Sequence, residues 1–215
     1  MTGRSHGGDL LPKATFFNLP REKQEHIFRH AVQEFALHPY EQASLTEIVN
    51  QAGIAKGSMY QYFEDKKDLY KYVVDKVYQH KRKFLQPVWA LKDNVDFFEF
   101  ASMYYRRSWH YARQHPEHHR VIVNFWDSRD DAVRDEILHE KQIRSYEFAY
   151  MLEQGFKSGV IDPRTDKEAA WFVYHAVAKA LIDNFLAPDV NADSHETFIN
   201  AVLSLLEQGL RPRKE

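Results

Sequence analysis

Ser44-Leu45-Thr46-Glu47-Ile48-Val49-Asn50-Gln51-Ala52-Gly53-Ile54-Ala55-Lys56-Gly57-Ser58-Met59-Tyr60-Gln61-Tyr62-Phe63 is the stretch whose pattern decides the architecture of this 215-residue chain. Ser44 with Glu47 three positions later is a capping box: the hydroxyl accepts from an otherwise orphaned amide, and the carboxylate reaches back to the amide of Ser44. A helix therefore starts near Leu45. It carries Ile48, Val49 and Ala52 inward and ends at Gly53, where a residue free to take positive φ lets the chain turn sharply. A second helix covers about 55–63. Two short helices joined by a tight turn make a helix-turn-helix, whose second member can enter the DNA major groove while the first braces it against the backbone. Ala52 stands where the two helices cross closely, and Ile54 and Phe63 belong to the small core.

Working outward, the residues from Pro20 to His38-Pro39 place Ile27, Phe28, Ala31, Val32 and Phe35 on one helical face. On the other side, Asp65 with Asp68 resembles another N-cap pair and opens a helix through Leu69, Val73 and Val77 to about Leu85, with Pro87 expected to stop it. Longer helices are expected over about 95–114, 116–126, 132–157, 167–186 and 195–210, with breaks at His115-Pro116, Gly159, Asp162-Pro163 and Pro188. No strand pattern is present. The expected fold is all-α: a helix-turn-helix domain of about four helices over 18–85, including a connecting fourth helix, and a second domain of about five helices over 86–215. Residues 1–17, which include Gly3, Gly7, Gly8 and Pro12, read as a mobile arm or an expression leftover.

Composition narrows the classes. No apolar run approaches the roughly 20 residues that cross a bilayer, and mean hydropathy is −0.60, so a soluble, cytoplasmic protein without membrane association is expected. The absence of cysteine excludes a disulfide framework, a thiolate metal site and a cysteine nucleophile. Net charge is −2, but residues 1–85 hold 13 basic against 10 acidic side chains, and the remainder 16 against 21. A polyanion is thus expected to meet the N-terminal part.

The run from Ser44 to Leu69 resembles the DNA-binding signature of TetR-like regulators. The resemblance rests on Ala52-Gly53-Ile54, Lys56-Gly57-Ser58, Tyr60, Tyr62-Phe63, Lys66 and Leu69; a Gly-Leu-Arg-Pro ending at Gly209–Pro212 is similar as well. Ala55 departs from it, since that family usually places a capping Ser or Thr there. The resemblance implies a homodimeric transcription regulator, a repressor by expectation, binding double-stranded operator DNA with two recognition helices about 34–36 Å apart on a pseudo-palindrome. The candidate DNA-binding residues are Ser44, Thr46, Lys56, Gly57, Ser58, Tyr60, Gln61, Tyr62 and Lys66. Lys56, Lys66 and the hydroxyls of Tyr60 and Tyr62 suit phosphates, Ser58 and Gln61 suit base edges, and Gly57 allows close backbone approach. Tyr60 read as a packing aromatic and Lys66 as a solvated surface lysine are the alternatives.

The resemblance also implies a second half that binds a small effector, here expected to be largely apolar or aromatic, and that dimerises through its last two helices. Nineteen of the 31 aromatic residues, including all four tryptophans, lie in 86–215. Tyr105 with Trp109 and Tyr146 with Tyr150 are i,i+4 pairs that can either grip a ligand or fill a core. The candidate effector-binding set is Tyr105, Trp109, Trp126, Tyr146, Tyr150 and His175, and the candidate dimer face is Trp171, Phe198, Val202, Leu205 and Leu206. Neither an enzyme nor a cofactor is expected. Glu136-Ile137-Leu138-His139 has the Glu-x-x-His spacing of di-iron bundles but no second copy, and no Gly-x-Ser-x-Gly occurs. His115, His118 and His119 leave a metal-binding helical protein as an alternative, and a helical adaptor without operator binding is another.

Overall fold

Among the described residues, four helices open on a side chain that accepts from the amide three residues on. Ser44 Oγ accepts from Glu47 N at 3.3 Å, Asp65 Oδ1 from Asp68 N at 2.9 Å, Asp96 Oδ1 from Glu99 N at 2.9 Å and Asp166 Oδ1 from Ala169 N at 2.7 Å. Each satisfies a donor that the first helical turn leaves without a partner. The computed structural model describes residues 12–128, 131–141, 146–183 and 192–212, and among these it contains eleven helices and no strand. They are α1 (Ala14–Phe17), α2 (Arg21–Leu37), α3 (Leu45–Gln51), α4 (Lys56–Tyr62), α5 (Lys66–Trp89), α6 (Phe97–Gln114), α7 (Pro116–Asp127), α8 (Asp131–Lys141), α9 (Tyr146–Lys157), α10 (Lys167–Asp183) and α11 (Ala192–Leu210).

The fold is the all-helical one expected, with three local differences. Residues 14–17, assigned above to a mobile arm, form α1, and Phe16 is fully buried among the rings of Tyr62, Phe63 and Tyr72. Helix α5 runs through Pro87 to Trp89 rather than stopping before it. The proline sits in the last turn, so it removes a single donor from the ladder, and Ala90 N still reaches Gln86 O at 2.9 Å. The capping box is only half formed. Glu47 accepts from Gln51 Nε2 at 2.8 Å, and the amide of Ser44 donates instead to Glu34 Oε1 of α2 at 2.7 Å. Whether the expected helix over 132–157 is continuous, and where the one expected to reach 186 ends, lies outside the described residues.

The chain divides into two compact units, neither continuous in sequence: the described residues of Met1–Gln79 with Glu117–Ile143, and those of His80–Pro116 with Arg144–Glu215. A single boundary at 85/86 does not describe this division. The first unit contains α1–α4, most of α5 and α7, and α8. Ile27, Ala31 and Phe35 of α2, Ile48 and Val49 of α3, Met59 of α4 and Leu69, Tyr70 and Val73 of α5 are all buried in this unit, and the Phe35 and Tyr70 rings lie 4.8 Å apart. Burial of such side chains is worth about 1.5–3 kcal/mol each, which holds helices of seven residues that would not persist alone. Glu136 of α8 accepts from Lys71 Nζ at 2.6 Å and Lys67 Nζ at 3.0 Å, and these bonds hold its carboxyl below the usual carboxylate range.

The second unit is built on α6, α9, α10 and α11. Phe97, Phe100, Tyr105 and Trp109 of α6 pack with Met151 and Leu152 of α9, Tyr174 and Leu181 of α10, and Ile199 and Leu203 of α11. Asp96 also accepts from Arg211 Nη2 at 2.8 Å, tying the start of α6 to the residue after α11. No helix among the described residues is long and apolar enough to cross a membrane.

Candidate functional site

The turn between α3 and α4 has the geometry that Gly53 permits, with φ at 59°. Helix α4 then exposes one face and buries the other. Met59 is fully buried and Tyr62 is only 7% exposed, while Lys56, Gly57 and Gln61 are exposed, Ser58 is half-buried and Tyr60 is 45% exposed. As the departure at Ala55 implies, no side chain caps the start of α4. Its far end is held by α1. Lys13 N donates to Tyr62 O at 2.9 Å, Lys13 Nζ donates to Tyr60 O at 3.0 Å, and Thr15 Oγ1 donates to Gln61 O. Three of the last carbonyls of α4 thereby gain partners from outside the helix. Lys13 Nζ also lies 2.7 Å from Glu64 Oε2.

Exposure of this face brings Lys56, Gly57, Ser58, Tyr60 and Gln61 together on one short helix, with Ser44 and Thr46 exposed at the start of α3. A Cβ built on Gly57 meets no atom within 4 Å, so nothing in the protein requires a glycine there. A residue that costs about 1 kcal/mol of helix propensity relative to alanine has no internal reason at that position. Tyr62 differs from the expectation: its ring packs edge-on against Phe16 with centroids 6.1 Å apart, and it belongs to the core rather than to the exposed face.

Lys66 has partners within the protein that the sequence did not announce. Its ammonium donates to the carbonyls of Tyr40 at 2.8 Å, Ala43 at 3.0 Å and Glu41 at 3.4 Å, and lies 4.7 Å from the centroid of the Tyr40 ring. The N–H donors of this lysine are directed at the loop between α2 and α3, so its charge is engaged within the protein. Lys66 fixes the entry to α3. Lys13 and Thr15 had no role in the sequence reading, because their partners Tyr60 and Gln61 lie 47 and 46 residues away with no local pattern to announce them.

The candidates for an effector lie in different settings within their own units. Tyr105 and Trp109 are buried in the core of the second unit, with Tyr105 Oη donating to Tyr174 O at 3.0 Å. Trp126 belongs to the first unit, where its Nε1 donates to Tyr78 Oη at 2.7 Å. Tyr150 and His175 are exposed, and the Tyr146 side chain lies outside the described residues. The second unit does contain a cleft of about 170 Å³ between α6, α10 and α11. Phe98, Ala101, Tyr174 and Leu203 form its apolar wall; Ser102, Arg106, Asn200, Ser204 and Glu207 line the rest. Of the histidines raised as metal ligands, His119 is buried in the first unit and His115 packs edge-on against His80 in the second, with ring centroids 4.6 Å apart.

Along α10 and α11 the candidate dimer face separates into two kinds of residue. Trp171, Val202 and Leu206 are partly buried against the unit's core, whereas Phe198 and Leu205 are exposed. Phe172, 72% exposed, and Val173 on α10 are further apolar residues open to solvent that were not anticipated.

Comparison with known proteins places this geometry among relatives. Residues 27–73 match the family described as bacterial regulatory proteins, tetR family. A TetR-family transcriptional regulator from Chloroflexus aurantiacus J-10-fl superposes with a TM-score of 0.76 at 27% identity, over 94% of this chain and 100% of that one. FadR from Bacillus subtilis, solved in complex with stearoyl-CoA, superposes with a TM-score of 0.66 at 21% identity, over 87% and 99% of the two chains. A ketosteroid transcriptional regulator from Mycobacterium tuberculosis, KstR2, shares the fold at 13% identity with a TM-score of 0.66, over 91% and 98%. Among proteins of curated function no match was found.

Proposed function

We propose, for a chain that is a TetR-like regulator by its N-terminal domain and its fold, that it binds a pseudo-palindromic operator as a homodimer and is released from it by a small, largely apolar or aromatic effector. The observation that carries the DNA-binding part is the exposed face of α4. It gathers a lysine, a tyrosine hydroxyl and a glutamine around a glycine that the protein's own packing does not need. Lys56 and Tyr60 take phosphates, and Gln61 with Ser58 reads base edges. Phe172, Phe198 and Leu205 on α10 and α11 supply an apolar face for the second copy. FadR, seen with stearoyl-CoA, supports the idea that this fold accommodates ligands with large apolar parts. Effector binding and operator binding would oppose each other by the same coupling free energy in either direction.

Selection from random duplex DNA by the purified protein at near-physiological salt, with its mass in solution measured alongside, tests the proposal. Enrichment of a pseudo-palindrome by a dimer is expected. Gln61→Ala should alter the preferred base at one position per half-site, and Tyr60→Phe should weaken binding to all sites equally. Failure to enrich any sequence would overturn the regulator reading, and an unchanged preference in Gln61→Ala would overturn the base-reading role.

A further inference from the structure

Among the described residues, Arg106 of α6 is a cation without a counter-ion. Its Nη2 donates to Asn200 Oδ1 of α11 at 2.7 Å, and its Nε is shut off from solvent and donates to nothing. No acidic side chain among the described residues pairs with it. The acid that shares its cleft, Glu207, accepts from Arg211 Nε at 2.6 Å, and Arg211 also holds Asp96. A guanidinium offers five N–H donors in a planar fork that matches a carboxylate. Here one amide oxygen is all that the described residues give it. The same cleft presents the rings of Phe98 and Tyr174 and the side chain of Leu203, with the Ser204 hydroxyl at its edge.

We propose that this cleft binds a small organic monocarboxylate, recognised by the guanidinium of Arg106 while its apolar body lies against Phe98, Tyr174 and Leu203. The inference deepens the effector reading above and rests on it for its regulatory meaning. Three features set the class of ligand. A single uncompensated cation balances one negative charge, and the Glu207 carboxylate in the same cleft opposes a phosphate dianion. The apolar wall favours a ligand with a hydrocarbon or aromatic body over a bare inorganic anion. A volume of about 170 Å³ is below the range of about 300–1,000 Å³ for drug-sized ligands, so the occupant is small.

The test uses the full-length protein without DNA, so that it stands apart from operator binding. Benzoate and hexanoate are titrated by calorimetry, with benzamide as the uncharged counterpart of benzoate. At least one carboxylate should bind, and benzoate should exceed benzamide by at least about tenfold, the equivalent of one charge-assisted hydrogen bond. Arg106→Gln should lose that preference. Asn200→Asp places the protein's own carboxylate where Oδ1 now stands 2.7 Å from Nη2. It should raise the unfolding midpoint and also abolish carboxylate binding, a pairing of effects that mere damage to the fold cannot produce. Binding of neither acid, equal binding of benzoate and benzamide, or full affinity in Asn200→Asp would each overturn the proposal. Operator selection succeeding while carboxylate binding fails would refute the ligand class and leave the regulator reading intact; the reverse would do the opposite.

Discussion

Replacing Lys66 by methionine separates a lysine that braces the protein from one that holds DNA. The two shorter bonds, to Tyr40 O at 2.8 Å and Ala43 O at 3.0 Å, are partly buried, and each is worth about 1 kcal/mol. The third, at 3.4 Å, is exposed and adds little, and the ammonium above the Tyr40 ring contributes about 0.5–1 kcal/mol. Methionine keeps the apolar stem, so the expected loss is about 2–3 kcal/mol, arising from carbonyls that lose their donor. Equilibrium urea unfolding at fixed protein concentration measures it, because a dimer's stability depends on concentration. The second readout is the salt dependence of operator binding. A phosphate contact would lower the slope of log K against log salt by about 0.9, whereas a bracing role leaves it unchanged. Unaltered stability together with a reduced slope would refute the structural role assigned to Lys66.

Gly155→Ala should destabilise the second unit despite the better helix propensity of alanine. A Cβ there would lie 2.8 Å from Ile161 Cδ1 and 3.0 Å from Phe97 Cβ, and overpacking of about 1–3 kcal/mol outweighs a gain of about 1, which a lowered urea midpoint would register. Leu205→Glu puts a charge on an exposed apolar face and should shift the protein toward monomer in sedimentation; an unchanged mass in a folded variant would exclude that face from the dimer contact. Glu136 has its folded pKa lowered from 4.5, chiefly by the hydrogen bonds from Lys71 and Lys67. Its stabilising contribution is therefore complete above that value and fades as pH falls through the depressed one. The stability gap between wild type and Glu136→Gln should narrow on acidification, and a gap independent of pH would contradict the ion-pair role.

What could be read in advance was local. Ser44, Gly53 and Asp65 act on backbone within a turn of themselves, so their consequences are written next to them. The reading failed where a partner comes from elsewhere. Glu47 was matched to Ser44 by spacing, but Glu34, ten residues upstream, takes that amide because α2 brings its carboxylate within 2.7 Å. The positive charge of Lys66 suggested phosphate, whereas the carbonyls that occupy it lie 23 to 26 residues earlier. Arg106 escaped notice entirely: its partner Asn200 is 94 residues away, and nothing in sequence separates an arginine lacking a carboxylate from any other surface arginine. The aromatic pairs show the limit of periodicity. Tyr105 and Trp109 share a helix face, but a shared face does not say whether it meets a ligand or a neighbouring helix.

The anchoring of α4 by Lys13 and Thr15 bears on how such a protein can diversify. These partners grip carbonyl oxygens, which every amino acid carries, and the inward face is held by Met59 and Tyr62. The side chains at 57, 58 and 61 are thus released from any duty to keep the helix in place. On the base-reading role proposed for this face, substitutions at these three positions would alter which sequence is preferred with little penalty to folding, so divergent copies of such a gene would acquire new targets by single steps. Constraint falls instead on residues 13–16, where an innocuous-looking deletion would remove the anchors of α4.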